Sequence, residues 1–153
     1  MAEFSDFGRR MRARGKNVVR NADRLVRRCA LAADQALVVS TPVDTGRARS
    51  NWLVSLDQPV TSPREEYFPG AEGSTGGPNA QAAIDQGRRV IETYDGDSPG
   101  ASIYIANNLP YIGRLNEGWS AQAPAGFVEQ AVMLGIEAVR TAGGLVDGVV
   151  REE

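Results

Sequence analysis

A chain of 153 residues with 42% hydrophobic content is long enough for one domain with a modest core. Its single cysteine, Cys29, and its lack of any histidine exclude an intrachain disulfide, most zinc sites, Cys/His nucleophile pairs and Ser-His-Asp triads. The net charge of −2 conceals an uneven distribution: residues 1–40 hold nine Arg or Lys against four acids, and the remainder eight against fifteen. A basic N-terminal arm on an acidic body predicts an anionic partner or contact between the arm of one copy and the body of the next. No apolar run approaches the length that spans a bilayer. The first residues are acids followed by Arg9, Arg10, Arg12 and Arg14 with no apolar stretch behind them, so synthesis in the cytoplasm without a signal peptide is expected.

Ser5 or Asp6 can cap a first helix that runs without proline to about Ser40. Met11, Val18, Ala22, Leu25, Cys29, Ala32 or Ala33, and Ala36 recur at three, four and seven residues, which lines one face of it. Arg9, Arg12, Lys16, Arg20, Arg24, Arg27 and Arg28 occupy much of the rest. Gly8 and Gly15 weaken the first turns, so residues 1–10 are read as a flexible arm that frays or orders only on a partner. Three readings of the basic face stay open: a solvated surface, a contact with an acidic neighbouring subunit, and DNA. Thr41-Pro-Val-Asp-Thr-Gly-Arg47 ends the helix in a turn, and Trp52–Leu56 reads as a strand. Residues 57–79 form a long Pro/Gly/Ser-rich loop or arm containing Tyr67 and Phe68. Asn79 is a candidate N-cap for a helix over 80–94, with Ala83, Gly87, Val90, Ile91 and Tyr94 inward.

Ala101–Ala106 alternates as a half-buried strand does. Asn107, Asn108 and Pro110 then force a turn, Tyr111–Asn116 forms a short element, and Gly118 breaks it just before Trp119. A final helix is expected from Gly126 to about Thr141, with Phe127, Ala131, Leu134 and Ala138 on one face and Val128, Val132 and Ile136 beside them, ended by Gly143-Gly144. Leu145–Val150 is a short apolar tail, expected to add an edge strand or to lie on a neighbour. The order of elements predicts an α+β fold in a single domain over 1–153: a long N-terminal helix and a small, mostly antiparallel sheet with helices packed on one face.

Motifs for catalysis are weak. Gly73-Ser-Thr-Gly-Gly77 lacks the lysine of a phosphate loop, and Asp95 and Asp97 lack the later glutamate of a calcium loop. No enzyme activity, metal or cofactor is expected.

Two segments together resemble the signatures of a family of tailed-bacteriophage tail-completion and neck proteins, at the head–tail joint, related to minor tail protein Z. The first is Thr41-Pro-Val-Asp-Thr-Gly-Arg47 shortly before Trp52. The second is Tyr104-Ile-Ala-Asn-Asn-Leu-Pro-Tyr111 followed by Arg114-Leu115, Glu117-Gly-Trp-Ser120, Gln122-Ala-Pro124 and Gly126. They cover about a quarter of the chain, in the family's order. The chain departs from the pattern near Asn116, where an aromatic residue is more usual, and near Ala121, where a lysine is. The resemblance implies a virion structural protein without enzymatic activity, forming a ring of six copies that completes the tail and leaves a channel for DNA. Its implied partners are other copies of itself, the connector or adaptor, and tail-tube or tail proteins. DNA would pass without sequence-specific contact, and no membrane is involved. Arg47, Tyr111, Glu117, Trp119, Pro124 and Phe127 are the candidate interface residues, and Asp44, Gly46, Pro110 and Gly118 the candidate turn-shaping ones. The alternative is a small DNA-binding protein that uses the basic helix.

Overall fold

The computed structural model describes residues 2–141. The expected stop at Gly143-Gly144 and the tail Leu145–Val150 lie outside the described residues. Helix α1 spans Ala2–Ser40, α2 Arg47–Ser50, strand β1 Leu53–Leu56, α3 Gly76–Glu92, β2 Ile103–Ala106, α4 Ile112–Asn116 and α5 Phe127–Arg140. The class is α+β with helices dominant. The sheet is two antiparallel strands, with Leu53 opposite Ala106 and Leu56 opposite Ile103. The outer edge of β1 is closed by a side chain: the Gln86 amide of α3 accepts from the Val54 N–H at 3.2 Å and donates to the Val54 carbonyl at 2.9 Å. Gln86 thus does what a third strand would do for that residue.

The core lies where α1, α3 and α5 meet. Leu37, Val38, Trp52, Ala80, Ala83, Ala123, Phe127 and Ala131 form one buried cluster. Trp52 buries its ring and donates from Nε1 to Thr41 Oγ1 at 2.7 Å, and the Thr41 hydroxyl donates on to the Leu37 carbonyl at 2.6 Å. That relay satisfies both buried polar groups and fixes the end of α1 against β1. Arg49 completes the junction. Its guanidinium donates to the carbonyls of Val39 and Thr41, at and just past the end of α1, and to Gly76 at the start of α3. A cation among helix C-terminal carbonyls is favourable both as donor and as charge.

α5 lies antiparallel along α1, since Phe127 packs with Leu37 and Val38 while Gly135 meets Cys29 and Ala33. A Cβ at Gly135 would come within 2.9 Å of both the Ala33 Cβ and the Cys29 carbonyl oxygen. The bare glycine therefore sets the approach of the two helices. It also corrects part of the expected face of α5: Phe127 and Ala131 are inward as expected, but Gly135 takes the place of Leu134, which is exposed together with Val132 and Ile136. Other expectations shift as well. Ser5 and Asp6 fall inside α1 rather than capping it, with Asp6 paired to Arg9. Asn79 is not a cap, because α3 begins three residues earlier and Thr75 holds the N-cap position.

Beyond its packed half, α1 continues alone. Its 39 residues correspond to roughly 58 Å at 1.5 Å per residue. Residues 3–20 are exposed apart from half-buried Asp6 and Gly8.

Among the described residues, Asp34 is the one carboxylate driven deep into the body, only 1% exposed and with Oδ1 lacking a hydrogen-bond partner. It lies against Gly87 of α3, where an added Cβ would sit 2.3 Å from Oδ2. Burial raises its pKa from the ordinary 3.8 to about 7. The unfolded chain therefore releases this proton near pH 4 and the folded chain not until about pH 7. Across that window the unfolded state holds fewer protons, so stability falls as pH rises, by up to about 4 kcal/mol. Asp34→Asn, which cannot ionise, is expected to flatten this slope and to be more stable than the parent at pH 8. Urea unfolding of both proteins at pH 5 and pH 8 checks it; parallel pH profiles would contradict it.

Candidate functional site

The turn after α1 and the segment around α4 meet across a cleft of about 270 Å³. Pro42, Val43, Asp44, Thr45, Gly46 and Ala48 line one side, and Tyr111, Leu115, Ser120 and Gln122 the other. Gln122 joins them. Its side chain accepts from the Val43 N–H and donates to the Val43 carbonyl, both at 2.9 Å and across 79 positions of sequence. Asn107 adds a second tie, donating to the Ala48 carbonyl at 3.0 Å.

Behind the cleft, a buried polar knot shapes the turn. Asn79 accepts from Ser50 Oγ at 2.7 Å and from the Phe68 N–H at 2.9 Å, and donates to the carbonyls of Phe68 and Thr75 at 2.8 and 2.9 Å. Asn51 repeats the device, accepting from the Arg64 N–H and donating to the Arg64 and Arg47 carbonyls. The Asp44 side chain accepts from the Glu72 N–H, and its carbonyl from the Gly73 N–H. The long 57–75 loop is in this way pinned to the body at Asp44, Ser50, Asn51 and Asn79. Gly46 has φ +87°, and a Cβ there would fall 2.1 Å from Asn79 Nδ2. It serves both as a left-handed turn residue and as the space that Asn79 fills.

The candidate interface residues separate into two groups. Arg47, Tyr111, Glu117, Trp119 and Pro124 reach the surface around the cleft and α4. Phe127 does not: it is a core residue at the start of α5, so any effect it has on a contact is exerted from beneath. Trp119 is 71% exposed, with the Arg114 guanidinium 5.4 Å from the ring centre. Arg47 pairs with Glu65 at 3.1 Å. Burial raises the Tyr111 pKa, the nearby Arg47 charge opposes this, and Glu66 and Asp44 add to the rise. The phenol therefore stays protonated as a donor. Of the turn-shaping candidates, Gly118 has φ +89° and packs on Ala125, while Pro110 and Asp44 are exposed at the two bends.

Asn116 joins α4 to α5. Its Oδ1 accepts from the Val128 N–H at 2.9 Å, which caps the first turn of α5, and its Nδ2 donates to both oxygens of Glu129. That hydrogen bond holds the Glu129 carboxyl below its ordinary pKa. The bridging roles of Asn51, Asn79, Asn116 and Gln122 escape sequence reasoning because an amide gives no periodic signal. Their abundance beside turn residues is the only hint. Chemically, the cleft offers hydrogen bonding and apolar contact, and its acidic and amide side chains are engaged by backbone groups. Among the described residues, no group of three or more Cys, Asp or Glu gathers to hold a metal ion.

No protein-family model, curated protein or solved structure matches the chain.

Asn79→Ala removes four hydrogen bonds and leaves the Phe68 backbone groups and the Ser50 hydroxyl without these partners. A loss of about 2–4 kcal/mol is expected, in line with buried polar groups left unsatisfied, together with faster proteolysis within residues 57–75. Urea unfolding and limited proteolysis check it; an unchanged midpoint would contradict the role of the knot.

Proposed function

We propose that this chain is a structural protein of a tailed-phage virion, placed at the neck or tail end, where copies of it encircle a DNA channel and meet connector and tail proteins. The reading starts from the resemblance of two sequence segments. The observation that carries it is that these segments fold into a single surface, joined by the Gln122–Val43 pair, with Trp119 left facing outward. An exposed tryptophan steadied by an arginine, beside a tyrosine and an acid–base pair, has the composition of an interface anchor. The long exposed arm of α1 and the more acidic body supply unlike surfaces, which is what a ring of identical subunits requires.

A second reading has its own support. Arg9, Arg10, Arg12, Arg14, Lys16 and Arg20 lie on the exposed part of α1, which suits contact with phosphates and hence a small DNA-binding protein.

Light scattering on the purified chain distinguishes the two. The structural reading expects a multiple of the 16.4 kDa subunit, alone or in a fixed ratio with connector or tail-tube protein. A monomer that retards duplex DNA at physiological salt favours the second. Trp119→Ala is expected to leave the unfolding midpoint within about 0.5 kcal/mol of the parent, as for other surface changes, while weakening assembly by about tenfold or more. An assembly unaffected by this change would remove Trp119 from the interface.

A further inference from the structure

Among the described residues, two helix faces leave apolar rows uncovered, and one cannot reach the other within a single copy. The first is the arm. Phe4, Phe7, Met11 and Val18 continue along α1 the same stripe that is covered from Leu25 onward, and all four are exposed, Phe4 by 82%. The second is the outer side of α5. Val132, Met133 and Ile136 are exposed there, flanked by Glu129 and Glu137, on the side opposite Phe127, Ala131 and Gly135. The inward side of α5 is already occupied by α1 around Cys29 and Ala33. α1 is one continuous helix with no proline, so its arm runs on in line and cannot fold round to the far side of α5.

We propose that the arm of one copy, residues 3–20, docks along the outer face of α5 on the next copy. Three arguments favour this occupant. Two arms paired with each other would bring their cations together, since residues 2–20 hold six basic against two acidic side chains. The body over 21–141 has the opposite balance, ten basic against fourteen acidic, and α5 carries Glu129 and Glu137 beside its apolar row against one cation, Arg140, which pairs with Glu137 at 3.7 Å. Binding of DNA would satisfy the arginines and leave Phe4, Phe7 and Met11 in water, whereas a helix with an apolar row covers both kinds of side chain. The contact joins two different surfaces, so it propagates from copy to copy and closes into a ring when the rotation permits. It rests on the self-assembly part of the reading above and names the surfaces that part leaves open.

The test uses full-length chains carrying one disabled surface each: Phe7→Glu with Met11→Glu on the arm, and Met133→Glu with Ile136→Glu on α5. All four positions are exposed, so both variants should fold as the parent does, which circular dichroism verifies. Each variant alone is expected to run at the single-copy mass. Mixed, they are expected to form a two-copy complex and nothing larger, because only one intact arm and one intact face remain per pair. Rings that persist in either variant would overturn the proposed seat while leaving self-assembly intact. A mixture that stays at the single-copy mass would overturn it too. If the arm variant lost thermal stability with no change of mass relative to a monomeric parent, the stripe would be covered within its own copy, and both this proposal and self-assembly through it would fall.

Discussion

Asn79 is the point on which the shape of the molecule depends. A single amide, wholly buried, holds Ser50 of α2, both backbone groups of Phe68 and the Thr75 carbonyl at the start of its own helix. It can do so only because Gly46 has no side chain. A buried amide is costly when any of its bonds is missing, so the arrangement tolerates few alternatives. The cleft follows from it: α2 is held against α3, the loop is drawn over both, and the turn at Pro42–Gly46 is left facing Tyr111 and Gln122. Arg49 and the Trp52–Thr41 relay lock the same corner from the other side, where α1 ends.

Periodic features were legible in the sequence, and single-residue geometry was not. Long α1, strands β1 and β2, and helices α3 and α5 all follow from spacing, because a row of apolar residues must be buried wherever the chain runs. The inward face of α5 departs from the spacing in part, for a physical reason. Spacing assigns Leu134 to the core, but at Gly135 the absence of a side chain lets the helix approach α1 closely, and Leu134 is exposed. Asp34 was invisible for the converse reason: a charged residue on the packed half of α1 is assigned to solvent by any pattern argument, yet it lies under Gly87. The four-residue α2 is too short to give a periodic signal, and the turn read over Thr41–Arg47 reaches only its first residue. At the candidate site, spacing does not separate Trp119 from Phe127, which carry the same expectation of an interface role: Trp119 is exposed, whereas Phe127, equally aromatic, is core.

The molecule divides into a body that is satisfied internally and surfaces that are not. Its core cluster, polar knot and helix junctions leave little for a partner to complete. In contrast, half of α1, the outer row of α5 and Trp119 bring apolar side chains into water with no cover among the described residues. This division suits a subunit whose fold is fixed before assembly and whose assembly reads separate surfaces. The basic arm and the more acidic body also give those surfaces opposite sign, which favours unlike contacts over like ones.

A direct image of the assembled protein tests the central claim. Electron cryomicroscopy of the purified chain, or of particles containing it, is predicted to show a closed ring around an open channel, with the surface bearing Trp119 and the α1 arm both at contacts. A twofold dimer through other surfaces, or particles that form intact and infectious without this chain, would contradict the account.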